Sequence, residues 1–581
     1  MTLLAGAFSC RGTLARPEMW LSSLSSLISR QASDERYVVR SAGAVMIKVD
    51  IGAYGTRALL DDGTAATFVA GEPIVEWQQA ARDRVTDTAA LHQSLLRSSR
   101  DVLVGARGQF AVAHHDRAVN RLVLATDAMG IRGLYWWTDG DTVVYSSTLR
   151  VLEECPLVRK QLDLRGLAEQ IAIGYPLANR TPYEGVSMLG PAEMIEFTLE
   201  GISRSLYWRW QDVPVSDEDA GTLSARTFES FRDAVRLRLR SDRATSAFLS
   251  GGLDTRVIVS ALRADRVDVH TFNFASEGTQ ERVFAGQFAM KAETVHEERE
   301  VNRSRSPAWV FTMAGLLEIS THPIRACVER PNLVFSGEGG SSALGLAGVT
   351  PEIEAKMVAG DVDDLLRAYT HASQASVPTK ILHRSAAALM SRAPLDGVAE
   401  ELAVGEPAGL PMRFHLYFLR NNQRRGIQPN YEQIDLHRLE FLTPFFDSDF
   451  LRVVMSIPLP LLYYHRFYNE WLHHFPEYVL STPWQSYPGH VPSPVQPEGR
   501  LVTQWDKRAR DTTHVAKLRR QALKWALRTV TRDDFPSGVM RRGALLAAAT
   551  LHATGVRDVT YLLQIARTIQ RYAAICHRPT E

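Results

Sequence analysis

Cysteine is scarce in this chain and is never clustered. The four cysteines, Cys10, Cys155, Cys327 and Cys576, lie far apart, and none belongs to a CxxC pair. Structural zinc sites and disulfide frameworks need closely spaced or paired cysteines, so the sequence favours neither. This usage fits a reducing compartment, and we expect a cytoplasmic protein.

Long apolar runs and an excess of charge are also missing. No stretch of about 18 apolar residues occurs, so we expect no membrane span. The N-terminal apolar run has no basic stretch before it and makes a poor signal peptide. With 66 basic and 65 acidic residues, the net charge of +1 gives no electrostatic reason to expect nucleic acid or a membrane as a partner.

The apolar pattern changes near the middle of the chain. At 581 residues the chain is too long for one hydrophobic core, so at least two domains are expected. Up to about residue 210, short alternating apolar segments predict a mainly antiparallel β domain. Beyond residue 214, short strands alternate with long helices, which predicts a parallel sheet of the α/β class. We therefore predict domains at 1–210 and 211–581.

The sharpest local signal is the segment SAFLSGGLDTR at residues 246–256. A short apolar strand runs into Ser250, Gly251 and Gly252, and a helix is predicted to start near Asp254. Backbone N–H groups around two glycines can surround an anion, and the helix N-terminus adds partial positive charge. The loop lacks the Lys-Ser/Thr ending of a Walker loop. We predict a pyrophosphate loop with magnesium on Asp254; a plain glycine turn is the alternative.

A second glycine-rich loop, in NLVFSGEGGSS at residues 332–342, carries one acid, Glu338. The carboxyl ends of parallel strands form a ligand crevice, so both loops are expected to face one nucleotide. We expect Glu338 near the reacting carbon. The alternative is a charge that only balances a helix dipole.

These loops resemble those of a known superfamily. SGGLDTR resembles the pyrophosphate loop of asparagine synthetases, β-lactam synthetases and lasso-peptide cyclases, and SGEGG resembles the start of their second loop. Further segments resemble the family in the same order: DAMGIRGLYW at 127–136, YSSTLR at 145–150, LGPAEM at 189–194, TFNFA at 271–275 and LTPFFD at 442–447. The resemblance implies an N-terminal Ntn-hydrolase-like antiparallel β sandwich and a C-terminal parallel-sheet domain of the PP-loop ATP-pyrophosphatase type with added helices. Lasso-peptide cyclases are the most similar members.

The first departure from the family lies at the start of the chain. Family glutaminases use a cysteine as residue 2, whereas this sequence has Thr2, and the segments that hold glutamine have no counterpart. Cys10 is no substitute, because only a terminal residue supplies its own amine as base. We expect no glutaminase activity, so the reacting amine has to come from the substrate itself.

The second departure concerns phosphate chemistry. Ser341 and Ser342 stand where the family places acids, which removes an expected magnesium ligand. The family lysine that contacts the leaving group has no clear equivalent in the segment TPWQSYPG at 482–489. Arg256 and Lys291 are the basic residues considered as replacements.

The resemblance implies an AMP-forming ligase that uses ATP and Mg²⁺. A substrate carboxylate is adenylated and then attacked by an amine of the same molecule, with Asp254 and Glu338 as catalytic residues. The implied ATP-binding residues are Ser250, Gly251, Gly252, Leu253, Asp254, Thr255, Phe274 and Gly337. The implied partners are a precursor peptide, a leader peptidase and a leader-recognition protein. Two alternatives stay open: an asparagine synthetase or β-lactam-synthetase-like small-molecule amide former, and an inactive ATP-binding paralogue.

Overall fold

The first half of the chain is built from antiparallel strands. The computed structural model describes residues 2–75, 83–299, 309–373, 375–497, 499, 501 and 512–578. The strands of the first half are β1 (Thr2–Ser9), β2 (Arg36–Arg40), β3 (Ala44–Asp50), β4 (Leu59–Asp61), β5 (Ala65–Glu72), β6 (Gln109–Asp116), β7 (Arg121–Thr126), β8 (Tyr135–Thr138), β9 (Thr142–Ser146), β10 (Gln161–Leu162), β11 (Tyr183–Glu184), β12 (Val186–Met188), β13 (Glu193–Thr198) and β14 (Gly201–Leu206). The helices of this half are α1 (Pro17–Leu27), α2 (Arg84–Leu96), α3 (Asp101–Gly105), α4 (Leu149–Glu154) and α5 (Leu164–Ala172).

Two six-stranded sheets form a sandwich. One has the strand order β12-β8-β9-β1-β3-β2 and the other β14-β13-β7-β6-β5-β4, and β10 pairs only with β11. Both large sheets are antiparallel throughout, for example between β1 and β3 and between β5 and β6. Apolar side chains from both sheets share one buried cluster, which includes Leu4, Met46, Phe68 and Ala111. The predicted antiparallel β sandwich is confirmed.

The second half contains a parallel sheet covered by helices. Its strands are β15 (Ala244–Phe248), β16 (Asp268–Asn273), β17 (Val295–Glu298), β18 (Leu333–Phe335) and β19 (Glu440–Leu442). Its helices are α6 (Ala220–Leu239), α7 (Asp254–Ala264), α8 (Gln280–Lys291), α9 (Trp309–Ile319), α10 (Gly340–Leu344), α11 (Pro351–Ala359), α12 (Val362–Ser373), α13 (Arg384–Ala403), α14 (Leu410–Tyr417), α15 (Arg424–Glu432), α16 (Ile434–His437), α17 (Ser448–Ser456), α18 (Leu459–Leu462), α19 (Arg466–Trp471), α20 (Thr512–Thr529), α21 (Arg542–Ala553) and α22 (Thr560–Cys576).

The order of the parallel strands is β17-β16-β15-β18-β19. The chain moves outward from β15 to β17, then crosses back to β18 on the other side of β15. The direction of winding therefore reverses between β15 and β18. In open α/β sheets, ligands bind at such a switch point, outside the carboxyl ends of the strands. Strand β15 is buried at every position, as expected of a central strand covered on both faces. The predicted parallel-sheet domain is confirmed.

Buried ion pairs join the two halves. Asp447 caps α17 by accepting the N–H groups of Asp449 and Phe450. Its carboxylate also pairs with Arg107 of the first half at 2.9 Å and with Arg238 of α6 at 2.8 Å. All three charged side chains are buried, so the cap and the interdomain contact depend on one another. A buried charge left without its partner is costly, which ties the second half to the first.

A helical layer completes the second half. Helices α20, α21 and α22 form a buried apolar cluster with α5 and α13, through residues such as Leu167, Met390, Ala526, Leu545 and Ile569. Among the residues that the structure describes, no helix is both long and apolar enough to cross a membrane.

Candidate active site

The two glycine-rich loops meet at the switch point of the parallel sheet. Strand β15 ends at Phe248 and leads into the loop 249–253, while the adjacent strand β18 ends at Phe335 and leads into the loop 336–339. Helices α7 and α10 start directly after these loops. Both loops therefore project from the carboxyl edge of neighbouring parallel strands, as the sequence predicts.

Glycine is required where these loops contact their neighbours. A Cβ atom on Gly337 would lie 2.8 Å from the backbone nitrogen of Thr255 and 2.9 Å from Cβ of Asp254. A Cβ atom on Gly251 would lie 2.7 Å from Cα of Glu281. Such distances are shorter than carbon contacts allow. The glycines let the two loops, and the start of α8, approach one another.

Internal hydrogen bonds shape the first loop. Oγ1 of Thr255 accepts the backbone N–H of Ser250 at 3.0 Å, and the two hydroxyl groups lie 3.1 Å apart. Oγ of Ser250 accepts the N–H of Gly252 at 3.2 Å. The loop thus bends back on the first turn of α7, whose N-terminus favours negative charge.

Asp254 connects the loops through three hydrogen bonds. Oδ2 accepts the N–H of Ser341 at 3.0 Å, and Oδ1 accepts the Ser341 hydroxyl at 2.9 Å. Oδ1 also accepts the Tyr468 hydroxyl at 2.8 Å. Burial raises the pKa of Asp254, while these donors oppose the shift. Asp254 joins the starts of α7 and α10 to α19.

Glu338 faces the same space without a hydrogen-bond partner among the described residues. Burial, and then the nearby charge of Asp254, raise its pKa from 4.5 to about 7. A carboxyl with a pKa near neutrality is suited to accept or return a proton. The geometry therefore provides a candidate general base.

A cavity of about 1060 Å³ lies over the two loops. Its lining contains the predicted site residues Ser250, Gly252, Leu253, Asp254, Thr255, Phe274, Gly337 and Glu338. Gly251 does not line it, because this residue is buried against the start of α8. The volume is slightly larger than that typical of small-molecule sites, about 300–1,000 Å³.

The Pro- and Gly-rich stretch 484–497, whose composition predicts an exposed loop, also forms a wall of this cavity. Eleven of its residues line the cavity: Trp484, Gln485, Ser486, Tyr487, Pro488, Val491, Pro492, Ser493, Val495, Gln496 and Pro497. Trp484 is buried, and the N–H of Gln485 donates to the carbonyl of Gly251 at 3.2 Å. The stretch is a loop whose residues 486–489, 492 and 494–496 are exposed, as expected, while this contact fixes its start against the first loop.

Arg256 and Lys291 do not replace the missing lysine. The Arg256 guanidinium is buried and donates to the carbonyls of Val479, Thr482 and Pro483 at 2.7–3.0 Å. Lys291 donates to the carbonyl of Ser481 at 2.6 Å. Neither residue lines the cavity. Both hold the segment that precedes the cavity wall.

An aromatic cluster that the sequence patterns do not reveal lies beside Asp254. His465 stacks between Tyr468, at 5.6 Å, and Tyr487, at 5.8 Å with an interplanar angle of 8°. Tyr464 and His465 both have positive φ, 58° and 62°, a region that non-glycine residues seldom adopt. This backbone places the His465 ring in the cavity wall. No motif marks these residues, because they meet Asp254 only in the folded chain.

The described lining of the cavity carries no lysine or arginine. Its acids are Asp254, Glu281 and Glu338, and its single histidine is His465. Burial and His490 lower the pKa of His465 to about 3, so the ring is neutral at pH 7. Among the described residues, phosphate can therefore be bound by the backbone N–H groups of the loops and by the N-terminus of α7.

Magnesium fits here only with help from phosphate oxygens. The described part of the chain contains no group of three or more His, Cys, Asp or Glu side chains placed to hold a metal. Asp254 already accepts three hydrogen bonds of the about four that a carboxylate can accept. Magnesium in nucleotide sites is commonly held by one or two carboxylates plus phosphates and water. Asp254 could thus supply one ligand.

Comparison with known proteins agrees with this architecture. The sequence model of the glutamine amidotransferase domain matches residues 76–208, and that of asparagine synthase matches residues 227–340, which includes both loops. These matches cover less than half of the chain, and they show that its two halves are similar to a glutamine amidotransferase domain and to asparagine synthase. The more specific resemblance to lasso-peptide cyclases is not tested by these matches.

The curated relatives of the chain are distant. Asparagine synthetase (glutamine-hydrolyzing) 3 of Bacillus subtilis is 26% identical over 36% of this chain and 34% of the relative. Putative asparagine synthetase (glutamine-hydrolyzing) 2 of Methanocaldococcus jannaschii is 26% identical over 33% of this chain and 38% of the relative. The matches therefore span about a third of these relatives.

Two solved structures share 12% identity with the chain at a TM-score of 0.25. One is described as the allosteric regulatory enzyme of purine biosynthesis and covers 51% of this chain and 80% of its own. The other is a glutamine phosphoribosylpyrophosphate amidotransferase from B. subtilis, covering 56% and 88%. Similarity at this level supports no further inference.

Thr2 lies in a filled polar cluster. It is 1% exposed, and its hydroxyl accepts the N–H of Gly71 at 2.6 Å and lies 3.5 Å from Oε1 of Glu440. Glu440 in turn pairs with Arg132 and accepts the Tyr54 hydroxyl at 3.4 Å. Side chains of the protein itself therefore surround the position where family glutaminases place their nucleophile.

Proposed function

We propose that this protein forms amide bonds from a substrate carboxylate and an amine of the same molecule, using ATP, and that the substrate is a lasso precursor peptide that becomes a macrolactam. The observation that carries the proposal is the meeting of two glycine-rich loops over Asp254, with Glu338 in the wall of one cavity of about 1060 Å³. The asparagine synthase match over residues 227–340 supports the chemistry.

In the first step, a carboxylate oxygen of the substrate attacks the α-phosphorus of ATP and pyrophosphate leaves. The loop at 250–255 offers N–H groups and the start of α7 to the departing charge. Magnesium, when bound, would neutralise phosphate charge beside Asp254. The apolar side chains of Phe272, Phe274 and Phe284 in the lining suit the nucleotide base.

In the second step, the amine nitrogen attacks the acyl carbon and AMP leaves. The amine loses a proton, which Glu338 accepts, because its pKa of about 7 matches that task. Holding the amine and the acyl group in one cavity makes the step intramolecular, which is worth up to about 7–11 kcal/mol.

The state of the first half supports a substrate amine rather than ammonia. Thr2 is buried among Gly71, Glu440 and their partners, and the glutamine amidotransferase match begins only at residue 76. We propose that the first half has no glutaminase activity and supports the second half. This favours a substrate with its own amine, such as a peptide N-terminus.

The decisive experiment is ATP–pyrophosphate exchange with candidate peptides encoded by neighbouring genes. We expect exchange that depends on one such peptide, and a product lighter than the peptide by one water. A Ser250→Leu variant, which blocks the loop, is the negative control. Exchange driven by aspartate or by a small amino acid instead would support a small-molecule amide former and refute the peptide substrate.

A second candidate function is that of an inactive, ATP-binding paralogue. One reason is that Ser341 donates two hydrogen bonds to the Asp254 carboxylate, which would otherwise be available to magnesium. The other is that the described lining of the cavity contains no lysine or arginine to bind phosphate. ATP binding by calorimetry without exchange, under conditions that include every candidate peptide, would support this function.

A further inference from the structure

A second cavity, of about 360 Å³, lies between the two halves of the chain. One wall is the segment 178–187 of the first half. The opposite wall contains Glu401 of α13, Val404, Arg420 and Arg424 of the second half. None of these residues belongs to the lining of the main cavity.

The backbone is irregular on both sides of this interdomain cavity. Residues Phe418–Gln423 form a π-helix, a rare geometry that is frequent at functional sites. On the facing wall, Ala178 has a φ of 52°, which is unfavourable for a residue with a Cβ atom. Oδ1 of Asn421 accepts the N–H of Ala178 at 3.1 Å and joins the two walls. Gln423, at the other end of the π-helix, lines the main cavity.

Two guanidinium groups in this cavity form no ion pair with an acid among the described residues. Within the described part of the chain, Arg420 forms no ion pair, and its buried Nε has no hydrogen-bond acceptor. Arg424 is 1% exposed and donates Nε to the carbonyl of Gly130 at 3.0 Å and Nη2 to that of Leu189. Burial, followed by the charges of Arg425 and Arg420, lowers the pKa of Arg424 to about 9. The charge of Arg420 is therefore close enough to Arg424 to lower its pKa.

The same lining contains three acids, Asp163, Glu184 and Glu401, and among the described residues none of them forms an ion pair with Arg420 or Arg424. Asp163 caps α5 by accepting the N–H groups of Arg165 and Gly166 at 2.8 and 3.2 Å. Glu401 accepts the side-chain amide of Asn421 at 2.8 Å. Glu184 lies at the exposed rim.

A third arginine of the lining has its own counter-ion. Arg180 pairs with Glu169 at 2.7 Å. Arg420 and Arg424 thus remain as the cations of this cavity without a carboxylate within ion-pair distance among the described residues.

We propose that the interdomain cavity binds a small anion, a carboxylate or a phosphate, between the guanidinium groups of Arg420 and Arg424. Burying a cation without a counter-ion is costly, and an anion in the cavity would remove that cost. The planar guanidinium group matches both carboxylate and phosphate through paired hydrogen bonds. The proposal does not depend on the chemistry assigned to the main cavity.

Calorimetric titration of the full chain with inorganic phosphate and, separately, with glutamate tests the proposal. Each probe is added against chloride at matched ionic strength. We expect at least one to bind, and the affinity to fall by about 10- to 100-fold in Arg420→Gln, which removes charged hydrogen bonds. Arg420→Lys should retain part of the affinity. Binding of phosphate alone or of glutamate alone identifies the anion.

Two control variants separate this cavity from the main one. Arg392→Gln, which removes an exposed arginine of α13, should leave the affinity of the interdomain cavity unchanged, whereas Ser250→Leu, which blocks the phosphate loop, removes only phosphate binding at the main cavity. If Arg420→Gln does not fold, Ser187→Phe, which fills the cavity from the opposite wall, replaces it. Failure of both probes to bind, or binding lost in Ser250→Leu and kept in the cavity variant, would overturn the proposal.

Discussion

Ser341 holds Asp254 through two hydrogen bonds, from its N–H to Oδ2 at 3.0 Å and from its hydroxyl to Oδ1 at 2.9 Å. In the family that the sequence resembles, an acid stands near this position. A hydrogen-bond donor therefore replaces a second negative charge beside the phosphate loop. We expect this pair to determine how strongly the site depends on a metal.

Exchange of Ser341 for an acid should create that dependence. Ser341→Asp places two carboxylates within hydrogen-bond distance, so we expect a lower melting temperature at pH 8 without magnesium and recovery when magnesium is added. Ser341→Asn, of similar shape and no charge, is the control. Thermal unfolding with magnesium chloride, and with sodium chloride at equal ionic strength, provides the measurement. Equal stabilisation of the wild type and Ser341→Asp by magnesium would contradict this account.

Removal of the Asp254 charge tests the phosphate loop itself. Asp254→Asn loses charge beside the departing pyrophosphate, and its amide nitrogen would face the donors of Ser341. We expect pyrophosphate exchange to fall by about 10²–10³-fold, with little change in peptide binding. Tyr468→Phe, which removes one hydrogen bond and keeps the carboxylate, should cost less. Normal exchange by Asp254→Asn at limiting magnesium would show that the loop is only a turn.

Features that depend on local pattern could be predicted from the sequence. Short alternating apolar segments predict the antiparallel sandwich, and the glycines of SGGLDTR and SGEGG predict two bends after strands. Both loops lie where expected because the carboxyl ends of adjacent parallel strands meet at one edge. The roles assigned to Asp254 and Glu338 stay predictions.

Features that depend on distant contacts could not be predicted. Tyr468 lies 214 residues from the Asp254 that it contacts, and no local pattern links them. The stretch 484–497 has the composition of an exposed loop, yet buried Trp484 anchors it as a cavity wall. Arg256 follows the phosphate loop in sequence, but the turn of α7 directs its side chain toward the carbonyls of 479–483.

Thr2 should matter for stability and not for catalysis. Thr2→Ala leaves the buried N–H of Gly71 without the Thr2 hydroxyl, so we expect the free energy of unfolding to fall by about 1–3 kcal/mol. Amide formation per folded molecule should not change. Thr2→Ser, which keeps the hydroxyl, is the control, and urea unfolding with an assay for glutamate release is the measurement. Steady glutamate release by the wild type that disappears in Thr2→Ala would refute an inactive glutaminase.

The second half should not function alone. A fragment of residues 211–581 lacks Arg107 and Arg132, which pair with the buried carboxylates of Asp447 and Glu440. Loss of one partner from a buried pair costs about 3–5 kcal/mol, so we expect an insoluble or unfolded fragment. Co-expression with residues 1–210 should restore solubility. A soluble fragment with full exchange activity would show that the first half is dispensable.

Glu338→Gln should separate the two chemical steps and also change how stability depends on pH. Adenylation, measured as pyrophosphate exchange, should survive, whereas amide formation should fail because the amine loses its base.

The pKa of Glu338 is raised from 4.5 to about 7 in the folded protein, so between these pH values the folded state holds a proton that the unfolded state has lost. Unfolding free energy therefore decreases as pH rises through this interval. At pH 8 the variant should be more stable than the wild type by about 1–3 kcal/mol, and at pH 4 the two should be similar. Glu200→Gln, at an exposed turn, is the control. Chemical unfolding at both pH values provides the test, and equal stability of the two proteins at pH 8 would mean that the pKa of Glu338 is not raised in the folded protein.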